Sequence, residues 1–222
     1  MIPTLKPSKY PYSVALLPQW PHFYTWLLQA AGYLLLDSQK KKMMIISQQS
    51  DVNKDIIVDT SIYWPIFWQT RKTSLAKIST FARSIGGILS DKPNPLVQDA
   101  ISFQLPFLRT ITDTKEILHV GVGDKISKNQ NKKLSTWIKN NIQDYNIILL
   151  TNIEIPPSSK SKKSDEQKQI EKLLQTWSTV LLELFHTIVA NQKKKPEIIA
   201  YVNPSDFNKT WSLTTRYICA VW

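Results

Sequence analysis

The stretch Glu116-Ile117-Leu118-His119-Val120-Gly121-Val122, with the helical segment Leu134–Ile142 and the run Tyr145-Asn146-Ile147-Ile148-Leu149-Leu150 behind it, decides the fold class. The two outer segments are short, nearly continuous apolar runs without polar alternation, the mark of strands buried on both faces. The first ends in Gly121 and Gly123, which suit a turn at a strand end. Between them, Leu134–Ile142 has helix character with Trp137 and Ile138 facing inward. A strand, a helix-length crossover and a second strand form a βαβ unit, which places the strands parallel.

The same alternation extends in both directions. Ser13–Leu17 reads as a buried strand closed by Pro18, Phe23–Leu36 as a helix, and Met43–Ser47 as a second short strand. Asp55–Tyr63 is rich in β-branched residues and suits a strand. Ser74–Leu89 carries Leu75, Ile78, Phe81, Ile85 and Ile88 on one helix face, with Gly86-Gly87 weakening or ending it. Leu96–Leu105 reads as helical before Pro106. The polar stretch 156–165 reads as a flexible loop, and Asp165 to about Asn191 as the longest helix, with Ser164 or Asp165 as its N-cap. Glu197–Val202 and Leu213–Val221 close the pattern as strands. The expectation is one α/β domain over residues 1–222, with a mainly parallel central sheet and helices on both faces.

Composition narrows the function classes. With 42% hydrophobic residues in 222, the chain can bury a sizeable core. Its apolar runs fall short of the roughly 20 residues a membrane span needs. Met1–Lys6 has no signal-peptide pattern, and a single cysteine, Cys219, permits no intrachain disulfide. A cytoplasmic protein is expected. The net charge of +11 raises nucleic acid as a partner, yet only Arg71, Arg83, Arg109 and Arg216 among the 28 cationic residues are arginine. The lysine clusters at 40–42, 132–133, 160–163 and 193–195 read as solvated loops and helix ends.

Residues able to carry chemistry are few. His22, His119, His186 and Cys219 show no zinc spacing. His119 lies inside a strand and His186 on an apolar helix, so both read as core or boundary residues, and Cys219 reads as buried and inert. His22 follows the first strand, where sheet-end sites form, and is the best single candidate. No Gly-x-Ser-x-Gly elbow occurs, and Gly121-Val122-Gly123-Asp124 lacks the third glycine of a dinucleotide loop. Of eight tryptophans, Trp20, Trp26, Trp64 and Trp68 fall in the first third and read as packing residues.

Gln98-Asp99-Ala100-Ile101-Ser102-Phe103-Gln104-Leu105-Pro106-Phe107 resembles the Glu-His-Ser-(Ile/Leu)-Glu-x-Gln-Leu-Pro-Phe signature of the Memo family, relatives of the class III extradiol dioxygenase fold. Other landmarks follow in order. Ser13–Pro18 resembles the family's first strand, Met43–Asp51 the strand before Gly-Pro-Ser-His-His, His119–Gly123 a Pro-Val-Leu-Val-Gly strand, and Asn146–Glu154 the strand before Ser-Ser-Asp. Tyr201–Asn203 and Arg216–Ala220 resemble the closing pair.

The resemblance implies a metal site from two histidines and a cysteine, and this chain departs from it at each place. The positions correspond to Gln19, to Ser50 or Asp51, and to the neighbourhood of Leu173. The signature histidine matches Asp99, and the Ser-Ser-Asp aspartate falls near Ile153 with Glu154 adjacent. Such metals need several imidazole, thiolate or carboxylate donors, so neither metal nor cofactor is expected. Gln19, His22, Ser50, Asp51, Asp99 and Glu154 are the residues that would line the former pocket. The implied reading is a metal-free, non-catalytic binding component, with AMMECR-type and radical-SAM proteins as partners. One alternative is an enzyme whose acid–base groups come from Asp51, Asp99, Glu154 and His22. Another is nucleic-acid binding through the lysines.

Overall fold

A computed structural model describes residues 12–18, 25–48, 55–60, 63–64, 69–70, 73–90, 104, 107, 114–151, 154–155, 166–192, 195–202 and 216–222. The sheet is built on the apolar runs. Among the described residues, strands β1 (Val14–Pro18), β2 (Lys42–Gln48), β3 (Ile56–Asp59), β4 (Tyr63–Trp64), β5 (Gln69–Thr70), β6 (Ile88–Ser90), β7 (Glu116–Val122), β8 (Tyr145–Thr151), β9 (Glu154–Ile155), β10 (Glu197–Val202) and β11 (Arg216–Val221) alternate with five helices. These are α1 (Thr25–Leu35), α2 (Leu75–Ile85), α3 (Lys128–Asn141), α4 (Glu166–Trp177) and α5 (Thr179–Ala190).

Nine strands join one sheet in the order β10-β11-β1-β8-β2-β7-β3-β6, with β9 pairing β11; β4 and β5 form a separate ribbon. The centre, β1-β8-β2-β7, is parallel throughout. The margins are not: β11 runs antiparallel to β1, β10 and β9, and β3 runs antiparallel to β7. Every residue of β8 is buried, as its unalternated sequence requires of a strand covered on both faces. On one face Leu16, Met44, Ile46, Val120 and Leu149 pack against α2, α3, α4 and α5. On the other, Leu17, Met43, Ile45 and Leu150 pack against Leu28 and Tyr33 of α1 and against Phe107.

Four elements differ from the sequence expectation, three of them for an identifiable local reason. The helix expected over Ser74–Leu89 ends at Ile85, because Gly86 takes the left-handed conformation (φ 69°) and its N–H caps Ala82 and Arg83. Gly87 then passes so close to β3 that a Cβ would lie 3.2 Å from the Ile56 carbonyl oxygen, and Ile88 and Leu89 pair with Ile57 and Val58. The single helix expected from Asp165 to Asn191 is two helices. Ser178 breaks it in an extended conformation (φ −161°, ψ 117°), and its hydroxyl accepts from the Leu181 N–H. Continuous apolar periodicity concealed this break, since it carries neither proline nor glycine. Helix α3 begins six residues before Leu134, on the reciprocal capping box of Ser127 and Gln130. The Asp55–Tyr63 strand shortens to Ile56–Asp59. The Leu96–Leu105 helix, the loop at 156–165 and the caps Ser164 and Asp165 lie outside the described residues, apart from Gln104.

The lysine cluster at 40–42 is not a solvated loop. The Lys40 ammonium donates to Ser13 Oγ (2.8 Å) and to the carbonyls of Ile142 (2.9 Å) and Tyr145 (3.3 Å). Burial lowers its pKa, with Asp37 and Asp144 opposing. At the same sheet edge, Glu116 accepts from Lys77 Nζ at 2.7 Å and from the Tyr145 hydroxyl, tying β7 to α2 and β8. Burial pushes the Glu116 carboxyl up, but the Lys77 and Tyr145 hydrogen bonds outweigh it and hold the carboxyl below its ordinary 4.5. The unfolded chain therefore takes up this proton first as pH falls, so the stabilisation is complete above the unfolded value and is lost through the lower, folded one. In chemical denaturation across acid pH, the stability gap between the native chain and Glu116→Gln should shrink below pH 4.5. A gap independent of pH would contradict this tie.

Candidate functional site

In an open α/β sheet, ligands bind beyond the carboxyl ends of the parallel strands. Here those ends are brought level. Pro18 of β1 lies beside Thr151 of β8, Ser47 of β2 beside Leu150, and Gln48 beside Val122 of β7. Gln48 Nε2 donates to Asp124 Oδ1 at 3.3 Å, closing the edge between β2 and β7. Fully buried Gln29 of α1 donates from Nε2 to the Pro18 carbonyl at 2.9 Å. Its Oε1, and the Thr151 hydroxyl next to Pro18 in register, are buried and have no hydrogen-bond partner among the described residues. Buried polar atoms of this kind are the ones that water or a ligand satisfies.

Just inside this edge, on the face that α1 covers, three adjacent strands assemble a serine, a histidine and an aspartate. Ser47 Oγ lies 3.0 Å from His119 Nε2, and His119 Nδ1 lies 3.5 Å from Asp59 Oδ2. The register explains the meeting. Ile45 pairs with His119 and Ser47 with Gly121, so the Ser47 and His119 side chains share a face two positions apart. The antiparallel register of β3 and β7 pairs Val58 with Val120, and its next step sets Asp59 opposite His119. Gly121 presents no side chain on that face, which leaves room for the imidazole to lean toward Ser47.

With the proton on Nδ1, the order is that of a nucleophile, a general base and its orienting carboxylate. The burial is wrong for that chemistry. His119 and Asp59 expose 0% and 1% of their side chains, and Ser47 exposes 0%. The 3.5 Å contact is also longer than a hydrogen bond, and Nδ1 makes none among the described residues. A nucleophile has to meet its substrate, and this hydroxyl is sealed. The three residues act as an internal polar tie between β2, β7 and β3.

Of the pocket residues named from sequence, Gln19, His22, Ser50, Asp51 and Asp99 lie outside the described residues. Glu154 is in β9, opposite Tyr217 of β11. Leu173 lies within α4. Among the described residues, no three His, Cys, Asp or Glu side chains come together as metal ligands. His186, read as a core or boundary residue, is exposed, with Nε2 3.4 Å from Glu171 Oε1. Cys219 is fully buried, and burial pushes its thiol well above the ordinary range, so it is unreactive. The side chains of Trp20, Trp26, Trp64 and Trp68 are outside the described set. Sequence reading took His119 as an isolated core histidine and passed over Ser47 and Asp59. The available signal was a polar residue placed at the end of an otherwise apolar strand, in Met-Met-Ile-Ile-Ser47 and in Ile-Ile-Val-Asp59.

No helix among the described residues is long and apolar enough to cross a membrane. Neither a family model nor a curated protein matches the sequence. Among solved structures, the crystal structure of uncharacterized protein JW3007 from Escherichia coli K12 is similar over 94% of this chain and 98% of its own. The TM-score is 0.53 at 7% sequence identity, a likeness that shows the fold alone. The chain is thus an α/β protein whose central sheet is mainly parallel and covered by helices on both faces.

Proposed function

We propose that this chain is a divergent Memo-like protein of the class III extradiol dioxygenase-like architecture, and that it works as a metal-independent binding component. The observation that supports this most is the levelled carboxyl edge of β1, β8, β2 and β7. The residues that follow β1 and β2 are those to which the resemblance assigns metal-binding histidines, and the chain carries Gln19, Ser50 and Asp51 there. An amide, a hydroxyl and one carboxylate are a poor donor set for iron, copper or zinc. The cysteine position falls at Leu173, an aliphatic residue that cannot coordinate. Buried polar atoms at Gln29 and Thr151 keep the edge suited to a polar ligand. AMMECR-type and radical-SAM proteins are the partners proposed on the same resemblance.

Elemental analysis of the purified full chain tests the reading. Iron, copper and zinc should be substoichiometric, and Gln19→Ala, Asp51→Ala and Asp99→Ala should leave metal content unchanged. Stoichiometric metal that is lost on any of these changes would overturn it.

A further inference from the structure

We draw no further inference here: the strongest candidate, the cleft of about 440 Å³ between α2, α3 and the amino ends of β2, β7 and β8, carries nothing, because the lysines that line it are already paired, Lys42 with Asp144 and Lys77 with Glu116, and nothing in the structure shows what covers its aromatic floor.

Discussion

Replacing His119 with alanine is expected to lower the stability of the fold by about 3–5 kcal/mol, while leaving no trace of a lost serine nucleophile. The imidazole is fully buried at the junction of β2, β7 and β3. Truncating a large core side chain costs about 2–5 kcal/mol. Stripping a buried hydroxyl or carboxylate of a polar neighbour adds about 1–3 kcal/mol. Partial collapse of the site offsets some of the sum. Ser47→Ala should cost less, about 1–3 kcal/mol, because it removes little volume but leaves the buried His119 Nε2 without this partner. Asp59→Asn should fall between the two, because it keeps the shape and removes the charge. Urea denaturation of the three variants reads these differences directly. The accompanying chemical test is exposure of the folded protein to a serine-reactive fluorophosphonate. A sealed Ser47 should stay unlabelled, with label appearing only on unfolding. Fast, stoichiometric labelling of Ser47, abolished by His119→Ala, would make the triad catalytic and refute the structural role.

The same three residues show where sequence reading succeeds and where it stops. Burial on two faces leaves a direct imprint, so β7, β8, β2 and β1 were legible to within a residue or two as apolar runs. Helix α1 was legible as well, from its length and apolar weight. What sits between runs was less legible. The break at Ser178 is encoded by one hydroxyl capping one N–H, a feature that apolar periodicity does not register. The start of α3 rests on a Ser-x-x-Gln box ahead of a wholly polar first turn, and a search for apolar spacing passes over it. Strand direction is harder still. Nothing in Ile56–Asp59 itself says that it runs against β7, and only that reversal brings Asp59 to His119. Contacts of this sort join residues 72 positions apart, as for Ser47 and His119. They belong to register, which no local motif carries. The amino edge of the sheet was hidden for a related reason. Lys41 and Lys42 looked like one solvated run, whereas Lys77 and Lys115, which line a cleft with them, come from α2 and from the approach to β7.

Trp222 offers the second large effect, and it tests how the sheet's antiparallel margin is anchored. The residue follows β11, and its N–H and carbonyl exchange hydrogen bonds with Val14 at 3.1 and 3.0 Å. Its carbonyl also accepts from the Ser13 N–H at 3.0 Å. The indole is 1% exposed and meets Phe185 of α5 edge-on, 5.3 Å between ring centres. It thereby joins the first strand, the last strand and the helix covering them. Trp222→Ala should therefore cost about 3–5 kcal/mol, the range for deleting a buried aromatic side chain. The indole N–H has no partner among the described residues, so Trp222→Phe gives up little polar interaction, keeps an aromatic edge against Phe185 and should lose less, about 1–3 kcal/mol. Denaturation midpoints of the two variants separate ring packing from backbone pairing, which both substitutions preserve. Equal losses in Phe and Ala would mean that the indole's full size, not an aromatic edge against Phe185, secures β11 to β1. A loss below about 1 kcal/mol in Trp222→Ala would show that the hydrogen bonds to Val14 and Ser13 hold this margin without the ring.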